Sequence, residues 1–391
     1  MERIRCSGVW KIFGQNGNRV IDNWDQYRDL SKTELLKKTG CVVGVRDVSF
    51  SVTSGEIFVI MGLSGSGKST LLRCINRLHE PTRGRVYIDG EDITDVSQKT
   101  LLDIRRRKIA MVFQHFALLP HRRVIDNVAY GLEIQGVDKR TRYARAAEVL
   151  ELVGLKGWER QYPHELSGGM QQRMGLARAL APDPEILLMD EAFSALDPLI
   201  RRQMQEEFVK LLKVVQKTIV FVTHDLHEAL RIATRIAIMR AGAFEQIGTP
   251  AEIVLKPKTK YISDFVRDLP KAQFVTARDI MDPPSKWAVR DDQTGEQVIN
   301  KMNAEGIWHA YVVDSHRRIC GVVDYRSVIQ GNGNSVLDYL SRDFPVQDQN
   351  TFLEKLIDVA ARTSVPIAVI DENKRLVGVV SRERLLETLA S

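Results

Sequence analysis

Gly62-Leu-Ser-Gly-Ser-Gly67-Lys68-Ser69-Thr70 follows the short apolar run Glu56-Ile-Phe-Val-Ile-Met61 and leads into a helical pattern beginning Leu71-Leu-Arg. An apolar run of this length, bounded by turn residues, reads as a buried parallel strand. A loop of Gly62, Leu63, Ser64, Gly65, Ser66 and Gly67 between strand and helix is a phosphate cradle. Its glycines let the backbone curl until several N–H groups point at one anion. The helix that follows presents its positive end to the same place. Lys68 reaches the β- and γ-phosphates, and Ser69, with Thr70 beside it, offers a hydroxyl to Mg²⁺.

The chain around this loop alternates strands and helices. Ile109-Ala-Met-Val-Phe113, Glu185-Ile-Leu-Leu-Met189 and Thr218-Ile-Val-Phe-Val222 read as further buried strands, while Tyr143 to Val153 and Arg202 to Val215 read as helices. The expected fold is therefore α/β, of the P-loop NTPase type. The second of these strands runs into Asp190 and Glu191, placing two carboxylates at the edge of the sheet where ligands bind in such folds. Asp190 suits a Mg²⁺ ion held through water, and Glu191 suits the polarisation of an attacking water. Leu166-Ser-Gly-Gly-Met-Gln-Gln172, ahead of a helix expected over Arg173 to Ala181, is a second anion cradle. Ser31-Lys-Thr-Glu34 opens with a capping-box pattern and Gly40 can close it, which predicts one short helix over 31–40, outside the main sheet.

The last third repeats itself. Ala310-Tyr-Val-Val-Asp314 through Gly321-Val-Val323 recurs as Ile367-Ala-Val-Ile-Asp371 through Gly378-Val-Val380, at an offset of 57 residues (378 minus 321). Each unit reads as a helix, a strand, a turn around Asp and Lys/Arg, a strand after Gly and a closing helix. The two are expected to bury their sheets against each other. From Ala272 to Ser391 there are 14 Lys+Arg against 17 Asp+Glu, a net of −3, which leaves +9 to residues 1–271 out of the total of +6. Pro270 follows a helix-like stretch and marks the boundary.

Gln114 after one strand, His224 after another, and Ser194-Ala-Leu-Asp197 just beyond Glu191 complete an order that resembles the ATP-binding subunit of ABC transporters over about residues 3–260. The resemblance implies that residues 1–270 are an ABC-type nucleotide-binding domain with a helical subdomain at about 115–181. It implies ATP and Mg²⁺ as cofactors, with Gly62–Thr70 as Walker A and Asp190 and Glu191 ending Walker B. Gln114 is then the Q-loop glutamine near Mg²⁺ and the membrane partner. Ser167, Gly168 and Gly169 form the signature cradle, Asp197 belongs to the D-loop, and His224 senses the γ-phosphate. Phe13, in Trp10-Lys-Ile-Phe13-Gly, takes the place of the aromatic that stacks on adenine, with Trp10 as the alternative. In that family one copy's P-loop faces the other's signature, which implies a homodimer.

The N-terminal Trp-Lys-Ile-Phe-Gly, the helix ending Leu-Leu-Lys-Lys-Thr-Gly40 and the tandem tail narrow the resemblance to the bacterial glycine betaine/proline betaine importers. The tail, 271–391 with repeats at about 274–330 and 335–391, resembles a tandem CBS α+β domain with a regulatory role. The implied partners are integral-membrane permease subunits and, indirectly, a quaternary-amine-binding protein, and the implied place is the cytoplasmic face of the bacterial plasma membrane. The adenosine-binding CBS pattern ends in an Asp, and here the matching positions are Ser327 and Arg384.

Composition agrees with this class. With 391 residues, 44% hydrophobic and 27% charged, the chain has ordinary globular usage. No apolar run approaches the ~18 residues of a membrane helix, and the opening MERIRCSGVWKIFG lacks the apolar stretch of a secretion signal. Four scattered cysteines, Cys6, Cys41, Cys74 and Cys320, show no metal or disulfide spacing and suit a reducing compartment. His224 and His227 form a His-x-x-His pair, which reads as a sensor histidine and a solvated helix residue. An ATPase of DNA repair or chromosomes is the runner-up. It would need long coiled coils between Lys68 and Leu166 and a basic groove, and neither is legible, so no nucleic acid is expected. A translation-type protein would need a second P-loop.

Overall fold

The structure, a computed structural model, describes residues 1–114, 117–193, 197, 201, 203–205, 207–209, 211, 216–331 and 334–390. The chain forms two compact units, Met1–Thr249 and Pro250–Ser391. Sequence composition puts the boundary at Pro270, so the helices Pro250–Leu255 and Lys260–Val266 fall in the C-terminal unit by contact and in the N-terminal domain by composition.

The first unit holds two sheets. One is antiparallel, in the order β2-β1-β4-β5, with β1 at Glu2–Phe13, β2 at Val42–Thr53, β4 at Arg83–Ile88 and β5 at Glu91–Asp92. The other has six strands in the order β10-β9-β3-β8-β7-β6. Here β3 is Ile57–Met61, β6 is Ile109–Val112, β7 is Ile186–Asp190, β8 is Thr218–Thr223, β9 is Arg235–Arg240 and β10 is Ala243–Gly248. All its pairings are parallel except β10 with β9. Every residue of β7 and β8 is buried, as continuous apolar runs covered on both faces must be. The register sets Met61 beside Thr223 and Asp190 beside Val222. Three neighbouring strands therefore end level with one another, and Gly62, Glu191 and His224 lie at or just past those ends.

Residues 14–41 are an excursion between β1 and β2, which close it by pairing Phe13 with Val42. The helix Lys32–Thr39 has the full capping box, with Glu34 N donating to Ser31 Oγ at 3.2 Å and Ser31 N to Glu34 Oε2 at 2.8 Å, and it stops at Gly40 with φ +68°. A second helix, Gly17–Asp22, corrects the expectation of a single one; it has no side-chain cap to announce it. The excursion has its own core of Trp10, Ile12, Val20, Ile21, Leu35, Cys41 and Val43. Helices Val124–Ile134, Lys139–Leu152 and Gly168–Leu180 make the helical part of the unit. Much of the expected helix over 202–215, and Ser194 to Leu196, lie outside the described residues.

In the second unit each repeat is a three-stranded sheet. One runs β11-β12-β13 (Ala288–Arg290, His309–Val313, Ile319–Asp324) and the other β14-β15-β16 (Val346–Asp348, Ile367–Ile370, Leu376–Val380). The leading strands, of three residues each, are additions to the sequence reading. One core mixes residues of both repeats, Tyr311 and Val323 with Ala368 and Val379, and Tyr311 Oη donates to Pro366 O at 2.5 Å. The recurring glycine has a shared cause. A Cβ on Gly321 would stand 2.8 Å from Ser341 O, and one on Gly378 2.8 Å from Asp282 O.

Candidate active site

The phosphate loop is clamped from behind by backbone. Ser66 O accepts from Gly242 N at 2.8 Å, and Gly242 O accepts from Arg46 N of β2 at 2.7 Å. A Cβ on Gly62 would lie 2.2 Å from Met239 O, and one on Gly67 2.0 Å from Gly44 O. Gly67, at φ +109°, directly precedes the helix Lys68–Ile75. No other residue fits there, because the position requires both a positive φ and no side chain. On its outer side the loop is open: Leu63, Ser64 and Gly65 are exposed.

Three charged side chains meet at this loop. Lys68 is buried, its Nζ donating to Leu63 O at 3.1 Å and lying 3.5 Å from Glu191 Oε1. Burial pulls the pKa of its ammonium below the ordinary lysine value, against the pull of Glu191 and Asp190. Glu191 Oε2 is 3.2 Å from His224 Nδ1, so the carboxylate stands between a lysine and a histidine. Glu191 has φ +45°, held by its N–H donating to Val222 O at 3.0 Å. A non-glycine residue in that region is uncommon and marks a position the surroundings impose. Asp190 is buried, with Oδ2 accepting from Arg73 at 3.2 Å.

Two buried oxygens at the site lack any partner, Ser66 Oγ and Asp190 Oδ1. Orphaned buried polar atoms are costly and rare. Here they flank a cradle that a single Cβ would fill, with a lysine on one side and Ser69 and Thr70 half-buried in the first helical turn. This donor set fits a magnesium nucleotide: amides and Lys68 for phosphate, Ser69 and Asp190 for the cation.

Phe13 ends β1 and is 39% exposed. It lies close to the loop's helix, since a Cβ on Gly44 would stand 2.9 Å from Thr70 Cγ2 and 3.0 Å from Phe13 Cε2. Trp10 is buried in the excursion's core, edge-on to Trp24 at 5.3 Å, and so is not presented to a ligand. Gln114 is half-buried, two residues past β6, and Asp197 is exposed. Ser167 and Gly168 are exposed and Gly169 buried; Ser167 Oγ caps the helix Gly168–Leu180 by accepting from Met170 N at 3.4 Å. That helix begins five residues before the expected Arg173, so the signature glycines form its first turn. His227 is exposed, and no metal-holding group of three or more His, Cys, Asp or Glu occurs among the described residues.

Two residues escape sequence reading. Lys32 of the excursion donates to Gly65 O at 2.5 Å. Glu228, four residues past His224, is buried, bonded to Thr223 Oγ1 and accepting from Gln205 at 3.0 Å. Burial pushes its carboxyl up to about 7, against the hydrogen bonds from Thr223 and Gln205. Nothing in the sequence singles it out, because two residues beyond Leu226 it is turned away from the face that Leu226 shares with Ala229 and Leu230.

A family model described as ABC transporter matches residues 45–194, and one described as CBS domain matches residues 277–331 and 336–391. The chain is 49% identical over 391 residues to the glycine betaine transport ATP-binding protein OpuAA of Bacillus subtilis (strain 168), covering 99% of this chain and 92% of that one. It is 44% identical over 394 residues to the glycine betaine/proline betaine transport system ATP-binding protein ProV of Escherichia coli (strain K12), covering 99% and 97%. Among solved structures, the dimeric MJ0796, a bacterial ABC transporter cassette, matches with a TM-score of 0.53 and 33% identity over 63% of this chain and 98% of that one. The same cassette in a post-hydrolysis state with ADP and Pi matches with the same figures.

Proposed function

The chain belongs to the ATP-binding subunits of glycine betaine-type ABC transporters, and on that premise we propose that it powers import of a small quaternary amine such as glycine betaine, proline betaine or choline by hydrolysing ATP. The carrying observation is the Lys68–Glu191–His224 row at a glycine-clamped loop with two orphaned oxygens. The amides of Gly62 to Thr70 and Lys68 hold the triphosphate, and Phe13 stacks on the base. Ser69, Asp190 and Gln114 are the residues that would hold Mg²⁺, which neutralises charge on the β- and γ-phosphates. Lys68 exchanges its contact with Glu191 for phosphate oxygens, and the freed carboxylate takes the proton of the attacking water. His224 keeps Glu191 oriented and senses the phosphate.

Ser167, Gly168 and Gly169 of a second copy complete the site, with Asp197 beside the seam, so ATP joins two subunits and hydrolysis releases them, a ligand-biased two-state equilibrium. The groove next to Gln114 in the chain, about 370 Å³ and lined by Met111, Phe113 and Leu119 together with Arg105, Arg106 and Arg178, suits an amphipathic helix of a permease. That partner holds the subunit at the cytoplasmic face of the bacterial plasma membrane; no helix among the described residues is long and apolar enough to cross one. The CBS pair regulates the motor. The relatives that match over the whole chain are transport subunits, so a DNA-repair or chromosome role is not supported.

Reconstitution with the cognate permease and binding protein tests this reading. ATP-driven uptake of radiolabelled glycine betaine is expected with the wild-type chain and not with Lys68→Ala. Equal uptake with both would overturn it.

A further inference from the structure

The two repeats of the C-terminal unit set two copies of one turn against each other. In the first, Asp314 Oδ1 accepts from His316 N and Arg318 N, both at 2.8 Å; in the second, Asp371 Oδ1 accepts from Asn373 N at 2.9 Å and Arg375 N at 2.8 Å. The left-handed position of each turn is occupied by a long cation, Arg317 at φ +64° and Lys374 at φ +59°, where glycine or asparagine is the undemanding choice. The turns are joined by an antiparallel bridge between Arg318 and Arg375, and Leu376 N donates to Arg317 O at 2.9 Å. Like charges directly opposite one another in a ladder are destabilising. Among the described residues, Arg318, Lys374 and Arg375 form no ion pair within 4.0 Å.

A cavity of about 450 Å³ opens between the turns, lined by His316, Arg318, Glu372, Asn373, Lys374 and Arg375. Its three fixed cations against one carboxylate, a net of +2, lie in a stretch whose overall balance is −3. The lining is therefore cationic against the composition of its surroundings, while the turn carboxylates Asp314 and Asp371 are engaged by backbone N–H groups. Among the described residues its lining holds no Phe, Tyr or Trp for a base to stack on, and the His316 imidazole is its one ring. Guanidinium forks match phosphate oxygens in geometry and charge, and an anion between Arg318 and Arg375 would offset their repulsion while tying one repeat to the other.

We propose that this cavity between the paired turns binds a soluble oligophosphate, gripped by Arg318 from one repeat and Arg375 from the other. The site is independent of the nucleotide loop and of the position of Ser327 and Arg384. Arg384 is already engaged, donating to Ile280 O at 3.0 Å.

The test uses tripolyphosphate and the full chain carrying Lys68→Ala, which removes the phosphate loop's own hold on the probe. Calorimetric titration is expected to give one tripolyphosphate per chain, bound at least ~30-fold more weakly when Arg318→Gln and Arg375→Gln are added, the scale of losing charged hydrogen bonds. Without ligand the triple variant should melt no lower than its Lys68→Ala parent, because a repulsive pair has been removed; a folding defect would lower it. Arg318→Lys with Arg375→Lys should retain measurable binding. Absence of tripolyphosphate binding by the Lys68→Ala chain, or equal binding by the triple variant, would overturn the proposal. Sedimentation with phosphatidylglycerol vesicles separates the sources. Vesicle binding is expected to be independent of the two arginines; arginine-dependent vesicle binding without tripolyphosphate binding would assign the site to lipid headgroups and overturn the soluble ligand.

Discussion

The phosphate loop and the paired turns of the repeats both gather cations at tight backbone, but they do so under opposite conditions. At the loop, Lys68 is buried and already faces Glu191 at 3.5 Å, so a ligand exchanges one anionic partner for another. At the turns, Arg318 and Arg375 face each other across a bridge with no ion pair within 4.0 Å among the described residues, so a ligand would supply the first anion in direct contact with both. The loop is assembled from segments used once each, Gly62–Thr70, Asp190–Glu191 and His224, brought level by neighbouring strands. The turn site is one segment used twice, with symmetry producing the juxtaposition. A built enzyme site compensates its charges in advance, whereas a site made by repetition inherits whatever the repeat opposes to itself.

The largest expected effect separates chemistry from binding on the loop side. Glu191→Gln should keep ATP binding while slowing steady-state hydrolysis by ~10²–10⁴, the loss of a positioned base. Unchanged turnover would place the base elsewhere. Next comes the clamp. Gly67→Ala meets both a positive φ and the carbonyl of Gly44 and should lower stability by about 3 kcal/mol. Gly65→Ala, at φ +73° but in open space, should cost only about 1 kcal/mol. Equal melting shifts for the two would break the claim that backbone contact, beyond conformation, shapes the loop.

A buried acid sharpens the comparison through pH. Glu228 titrates at about 7 folded against an ordinary value of 4.5, so between these values the folded state holds the proton that the unfolded state has lost. Stability should therefore fall as pH rises through this window, by at most about 3 kcal/mol. Glu228→Gln, which keeps the hydrogen-bonding shape, should flatten that part of a plot of melting temperature against pH. A profile with the same slope in both proteins would remove Glu228 from the account. The smallest effect tests the joint between repeats: Tyr311→Phe loses the bond to Pro366 O and should cost about 1 kcal/mol, read by denaturant unfolding of the full chain.

Legibility in the sequence followed the same division. Gly62, Glu191 and His224 could be read because each follows a largely buried strand whose apolar run is continuous. The antiparallel sheet was missed: the register of β1 against β2 shifts between Cys6 and Val9, between Val9 and Lys11 and between Lys11 and Ile12, which breaks the alternation that marks a strand. Helix Gly17–Asp22 lacks a side-chain cap, and glycines at 168 and 169 hid the true start of the signature helix. Glu228 was not singled out in the sequence, since its burial depends on Thr223 and Gln205, which only the fold brings near. In the repeats the 57-residue offset was plain, and the opposition of Arg318 to Arg375 was not, because it depends on how the two copies pack.

The central claim is that glycine-clamped amides and Lys68 hold a nucleotide triphosphate. Equilibrium binding of ATP with Mg²⁺ to the full chain, wild type against Lys68→Ala, tests it most directly. Affinity should fall on the order of 10²-fold, the scale of truncating one partner of a buried charged contact; equal affinity in the two proteins would contradict the claim.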